Sequence, residues 1–339
     1  MSSPERKSIN ISRLTLVLLV GIAALLPLTA FGADEPPELA QPAEQTPPSE
    51  RIEAIDAPRD YLSEKFVTFV SEIDRFFGDD RNFQESNQSV IQMDITRVTG
   101  YSGVHKIVLD GRAKVRLPSV QKRFHLVLET NPDQNLTGES TPTKITPPAN
   151  KVVTPDSYGA GLRFENAQEG QWHFSTDAGI KFRTFKVDPF TRVRGSYEVP
   201  LDQWRLKAAE TVFWFQTSGA GTNTRVDVER FLSDPVLFRA TSNVTWLKDT
   251  TNLDLRQDLS IYHTLSERSA LLYQASAIGV SRPAYHATDY VLLMTYRYRL
   301  HRKWIFFELS PQMHYPEVMD YHYSPMLSMR LELLLDESK

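Results

Sequence analysis

The chain has 339 residues, a formal net charge of −4, 41% hydrophobic and 24% charged residues, a mean hydropathy of −0.36 and no cysteine. The absence of cysteine excludes disulfide staples, thiolate metal sites, cysteine nucleophiles and a lipid-modified N-terminal cysteine, and the absence of a basic excess gives no sign of a nucleic-acid partner. Mean hydropathy alone reads as a water-soluble protein, but it is blind to membrane-spanning strands, which expose only alternate residues to lipid.

Residues 1–32 have the layout of a secretory signal peptide. Arg6, Lys7 and Arg13 precede an apolar run over 14–26, and Ala30 and Gly32 supply a small-x-small cleavage site. Residues 33–57, rich in Pro, Glu, Ala and Gln and free of aromatics, cannot bury enough surface to offset ordering, so they read as a periplasmic linker. Over 58–80 the pattern becomes helical. Tyr61, Leu62, Phe66, Phe69, Val70, Ile73, Phe76 and Phe77 fall near a 3.6-residue spacing, Pro58 suits a first turn, and Gly78 suits the end. This amphipathic helix has a polar face of mixed charge, which favours docking on the rest of the protein over lying on a membrane surface.

From 88 to 335 the period is two. Segments such as VIQMDITRV, KRFHLVLET and YVLLMTYRYRL are about ten residues long, the length a tilted strand needs to cross a bilayer. Tight turns at 117–121, 167–170, 200–203, 232–235, 265–268 and 301–303 alternate with a second set that includes the long Pro-rich loop 132–157, KVDP at 186–189 and SGAGTN at 218–223. Counting between turns gives fourteen strands, with twelve as the alternative if short segments merge; an even number keeps both chain ends on one side of the membrane. Leu253, Leu255, Leu259 and Ile261 alternate with Asp254, Arg256, Asp258 and Ser260, and Phe238, Val244 and Trp246 alternate with Arg239, Thr241 and Asn243. Aromatics such as Trp204, Tyr285, Tyr290, Trp304, Tyr315 and Tyr323 gather near strand ends.

Together, the export signal, long alternating strands and aromatic ends resemble the Gram-negative outer-membrane β-barrel (porin-like) class over 88–335. The resemblance implies an all-β, antiparallel up-and-down barrel in the outer membrane, with the N-terminal segment in the periplasm, lipid on one face and water on the other. One departure is the ending MRLELLLDESK, where the class usually finishes on an aromatic residue. The aqueous row is read as lumen-lining and includes Lys181, Arg183, Arg192, Arg194, Arg239, Asp254, Arg256, Asp258, Arg297, Arg299, Glu308 and Arg330. Its basic excess implies a channel or transporter for small polar solutes with weak anion preference. A non-conducting barrel that anchors or partners an envelope complex through 33–80 is the second reading.

A third reading concerns GQWHFSTDAGIKFR at 170–183, where His173, Ser175 and Asp177 carry the residue types of a hydrolytic triad. The His-x-Ser spacing resembles lipid A 3-O-deacylases, outer-membrane lipid hydrolases. On a strand, however, residues two apart stand ~7 Å from one another, and the row that would hold them faces away from lipid. The expectation is a polar wall and no catalytic site. His263, His286, His301, His314 and His322 are scattered, so neither a metal site nor a cofactor is expected.

Overall fold

The computed structural model describes residues 68–78, 83–84, 88–100, 105–117, 123–137, 151–166, 171–183, 186–201, 203–300 and 304–336. The signal peptide, the linker and the helical pattern before residue 68 lie outside the described residues. Within them, helix α1 (68–77) precedes β1 (Val90–Gly100), β2 (His105–Arg116), β3 (Phe124–Thr130), β4 (Lys151–Val153), β5 (Tyr158–Glu165), β6 (Trp172–Arg183), β7 (Lys186–Leu201), β8 (Trp204–Phe215), β9 (Gly219–Ser233), β10 (Val236–Leu247), β11 (Leu253–Ser266), β12 (Ser269–Val280), β13 (His286–Arg299), β14 (Ile305–Pro316) and β15 (Ser324–Asp336). Every strand but β4 pairs antiparallel with its neighbours, and β1 pairs with both β2 and β15, so the sheet closes into a 14-strand barrel. Closure removes the unpaired edges that a bilayer could not satisfy.

The barrel is inside out relative to a soluble protein. Met93, Ile95, Leu162, Trp172, Phe174, Val193, Leu292 and Leu331 are exposed on the outer face, whereas Lys114, Arg163, Glu229, Arg239, Arg297 and Glu332 are buried within it. An apolar outer face around a polar interior is the arrangement expected of a membrane-spanning barrel. Val90 pairs with Asp336, so the N-terminal edge of the barrel and its C-terminal end share one rim. That rim also carries the short turns 201–204, 233–236 and 266–269, and the opposite rim carries the longer segments 130–158 and 316–324.

Two expected turns lie inside strands. Residues 186–189 open β7, and most of 218–223 belongs to β9. The reversal between β8 and β9 is tightened to the residues before Gly219, whose φ of 74 is a left-handed value, and Asp188 Oδ1 accepts the Thr217 N–H at 2.9 Å. The other unexpected element, β4, has a simple origin. The partner β3 covers β2 only from Arg112 to Arg116, and β4 runs parallel to the uncovered Lys106–Val108 edge.

Not every inward side chain is polar. Leu237, Tyr262, Phe213, Phe215, Phe306 and Leu334 are buried on the lumen side, where they meet three inserted segments. Helix α1 is one of them: Val70 and Ile73 pack on Leu237 and Tyr262, Phe69 lies edge-on to Phe231 at 5.3 Å, and Phe76 lies edge-on to Phe306 at 5.6 Å. Residues 83–84 are the second, with Phe83 buried among Val90, Val127, Phe306 and Leu334, and residues 131–137, from the loop rim, are the third, with Leu136 against Phe190, Phe213 and Phe215. Asn131, with φ 46, fastens the two ends of that loop, its Oδ1 accepting the N–H groups of Asp156 and Ser157 at 3.0 and 3.1 Å.

Close strand approach sets one glycine. Gly179 pairs with Gly161, and a Cβ on Gly179 would lie 2.5 Å from the Ala160 carbonyl oxygen and 2.8 Å from the Phe190 ring. Replacing Gly179 by Val is expected to cost about 1–3 kcal/mol through overpacking, seen as a lower urea midpoint for the refolded barrel.

Candidate functional site

The lumen is organised as clusters of buried ion pairs, one on each side of the barrel and one at the plug. In the first, Arg163 holds Asp177 with a two-point contact, Nε to Oδ1 at 2.6 Å and Nη2 to Oδ2 at 2.8 Å, while its Nη2 also donates to Gln84 Oε1 at 2.8 Å. Arg192 bridges the same Asp177 at 2.9 Å and Glu129 at 2.6 Å, and Lys114 pairs with Glu165 at 3.1 Å. These residues reach one another because β2, β3, β5, β6 and β7 are successive neighbours in the sheet and each presents every second side chain inward.

The second cluster fastens the helix. Arg239 on β10 donates from Nε to Glu229 Oε1 at 2.6 Å and from Nη2 to Asp74 Oδ1 at 2.5 Å, and Arg205 donates to the other oxygen of Glu229 at 2.7 Å. Asp74 follows Ile73 and lies one turn beyond Val70, so the buried face of α1 ends in a carboxylate aimed at the wall. Arg75 leaves that face and pairs with Asp336 at the rim, at 2.8 Å. The third cluster joins β13, β14 and β15. Arg297, fully buried, binds Glu332 at 2.8 and 2.9 Å and also Glu308, and Arg330 returns to Glu308 at 2.6 Å.

Gln84, which follows α1 in the chain, and the inward loop meet across a cavity of about 30 Å³, lined also by Asn135, Leu136, Arg163, Asp177, Arg192, Arg194 and Arg225 among others. That is room for one or two waters. Four guanidinium groups line it against one carboxylate, and because Arg192 and Arg225 are also paired with Glu129 and Asp227 just behind the lining, the cavity keeps a small positive excess.

The expected lumen residues divide by depth. Lys181, Arg192, Arg239, Arg297 and Glu308 are buried; Arg194, Arg256, Asp258, Arg299 and Arg330 are half-buried; Arg183 and Asp254 are exposed at the loop-rim mouth, though all twelve lie on the inward rows. Asp254 and the Arg256–Asp258 pair, whose contact is 2.9 Å, stay on the wall of β11. His173, Ser175 and Asp177 are buried on the inner row of β6, with Trp172 and Phe174 outside. The Asp177 carboxylate is committed to Arg163 and Arg192, which removes the acid a triad would need to orient its histidine. Of the scattered histidines, His314 is buried between Asp289 at 2.9 Å and Gln312 at 3.0 Å.

Sequence reasoning placed Arg163 and Glu165 on the inner row but missed Glu129 and Lys114 as members of their cluster and Asp74 as the partner of Arg239. Glu129 and Lys114 were visible as charges in phase with inward rows. Asp74 carried no such signal, since a helix face and a strand row share no common period.

No protein-family model and no curated protein matches the sequence. Among solved structures, the chain is similar to "NanC porin" at 9% identity and a TM-score of 0.36, covering 71% of this chain and 98% of that one. It is likewise similar to the outer membrane channel DcaP of Acinetobacter baumannii, at 8% identity and a TM-score of 0.41 with 73% and 96% covered, and to Pseudomonas putida OprB, at 7% and 0.44 with 76% and 96% covered.

Proposed function

We propose that this chain is an outer-membrane channel for small polar solutes whose lumen is shut by its own N-terminal helix. The observation that carries this reading is the latch. Asp74 of α1 is seated on Arg239 of the wall, inside a barrel whose inner rows are mostly polar. A barrel with no transport role needs no lumen at all, and its interior can be filled by side chains alone. Here a separate segment fills it, through a few contacts on one helix face. The arginines around the central cavity favour anions over cations once the path opens. The non-conducting reading is supported by the same density of ion pairs, since Arg163, Arg192 and Arg297 hold their carboxylates tightly enough to act as cross-braces.

Planar-bilayer conductance separates the two. The full chain is expected to conduct little, and a deletion of residues 33–80 is expected to raise single-channel conductance severalfold with a reversal potential shifted towards the anion. Equal conductance from both forms would sink the helix as plug, and silence from both would favour the anchor reading.

A further inference from the structure

The outer wall of a membrane barrel should be apolar at mid-height, where water is scarcest. Most of this wall is: Ile95 on β1, Leu162 on β5 and Leu292 on β13, each at the middle of its strand, are exposed aliphatics. Strands β8 to β11 depart from the rule. Glu210 is an exposed residue on β8, in phase with Trp204, Ala208, Val212 and Trp214 and out of phase with the buried Arg205, Lys207 and Thr211. It therefore points to lipid.

Its depth follows from the two tryptophans. Trp204 and Trp214 are ten residues apart on one strand, which at ~3.3 Å per residue and ~40° of tilt is about 25 Å of height, the thickness of the apolar band. Aromatic residues mark the interfaces of such bands, so Glu210, between them, lies near the bilayer centre.

Glu210 is not alone. Opposite it on β9, Thr224 donates its hydroxyl to Glu210 Oε2, and on the next two strands outward-facing Ser242 donates to Gln257 Oε1, both at 2.5 Å. These residues are level. The register line that leaves the rim at Trp204 passes Arg230, Phe238, Ile261 and Tyr273 and reaches Met294, by then five residues from the rim end of β13 at Arg299. The line thus climbs about one residue per strand, the stagger of a tilted barrel. Descending by that amount from Glu210 leads within one residue to Thr224, Ser242 and Gln257. The four form a horizontal polar belt across β8–β11, bordered by the small side chains of Ala208, Ala240 and Ala275.

Both internal bonds of the belt leave capacity unused. Among the described residues Glu210 Oε1 accepts no hydrogen bond, and the Gln257 amide reaches only its neighbour's carbonyl oxygen at 3.4 Å. An acceptor and a donor, level with one another at opposite ends of a belt with small neighbours, form a self-complementary surface. Polar side chains and close-packed small residues drive association in lipid, where apolar contact alone gives no net preference over the acyl chains. We propose that the β8–β11 wall is a homodimer interface within the membrane, where two copies meet about a two-fold axis parallel to the membrane normal. Glu210 and Gln257 of each belt face the opposite belt. A second copy satisfies the surface in the isologous way, because the residue i that meets j is met by j in return.

The chain has no cysteine, so a single introduced one reports the contact directly. With the full chain in native membranes, Ser242→Cys is expected to form a disulfide-linked dimer under mild oxidation, and Ile95→Cys, on another part of the wall, is not. In lipid vesicles Glu210→Leu and Gln257→Leu are each expected to raise the dimer dissociation constant about 3- to 20-fold, the range for single polar contacts between membrane segments. Both variants keep the heat-modifiable mobility of a folded barrel, which separates loss of the interface from loss of the fold. A native mass of one or three chains, a Ser242→Cys adduct with a different protein, or dissociation constants unchanged in both leucine variants would overturn the proposal.

Discussion

Replacing Arg297 by methionine is expected to destabilise the barrel by about 3–5 kcal/mol, the largest effect of any single lumen substitution. Arg297 is fully buried and is the hub of the cluster that joins β13, β14 and β15, with its guanidinium shared between Glu332 and Glu308 and its central carbon 4.2 Å from the centre of the Phe306 ring. Methionine matches much of its volume, so the loss is electrostatic. Among the described residues the fully buried Glu332 would keep only Arg330 as an ion-pair partner, at 3.2 Å, and two carboxylates would then share one cation in a medium that solvates neither. The urea unfolding midpoint of the refolded protein measures it, and the heat-modifiable band would shift to a lower temperature. Adding Glu332→Gln to the methionine variant is expected to recover a large share, because it removes the stranded charge. An unfolding free energy within about 0.5 kcal/mol of the parent would show that the cluster is filled by water and that its ion pairs are worth little.

Much of this architecture is readable from alternation because a barrel wall separates two solvents. Leu253, Leu255 and Leu259 face one and Arg256 and Asp258 the other, and the contrast repeats on strand after strand until the count reaches fourteen. The same physics limits what can be read. Alternation reports whether a side chain meets lipid or not, and it cannot report what fills the interior. Leu237, Phe215 and Phe306 break the polar inner row, and taken one at a time they look like noise; they are the footprints of α1 and of the inward loop. The helical pattern near residue 70 shows an amphipathic face, yet nothing in a period of 3.6 says that the face closes on Leu237 and Tyr262 more than 160 residues away.

Glu210 teaches the converse. In WRLKAAETVFWF the phase of Arg205 and Lys207 sets the inner row, and Glu210 falls in the other phase between two tryptophans. The signal lay in the phase, which a search for charge on the inner row passes over. His173, Ser175 and Asp177 are the opposite case, since their residue types suggest chemistry and their phase does not. Their shared inward row puts Asp177 within reach of Arg163 and Arg192, strands that alternation alone cannot pair.

Replacing Val70 by aspartate is expected to expel α1 from the lumen while the barrel stays folded. Val70 is fully buried and Ile73 nearly so, and each contributes about 1.5–3 kcal/mol of burial on Leu237 and Tyr262. A carboxylate at position 70 would lose that burial and would in addition be desolvated against the apolar wall, a penalty of at least 3 kcal/mol unless a cation reaches it. Arg239 is already shared by Asp74 and Glu229, so the docked state has no spare partner on that side. The sum is comparable to everything the helix gains by docking, and the equilibrium reverses. The strand ladder is untouched, because closure through β1 and β15 pairs every barrel edge without help from the helix. Two measurements follow from the same displacement. Trypsin is expected to cut after Arg75 at least 10-fold faster, since a docked helix is cleaved only through rare openings. Conductance is expected to rise to the level of the 33–80 deletion. Fast cleavage without a rise in conductance would mean that the helix is a passenger and that the ion pairs around Arg163 and Arg192 close the path by themselves; neither change would mean that Val70 tolerates a charge because the helix is held near its C-terminal end, through Asp74 and Arg75.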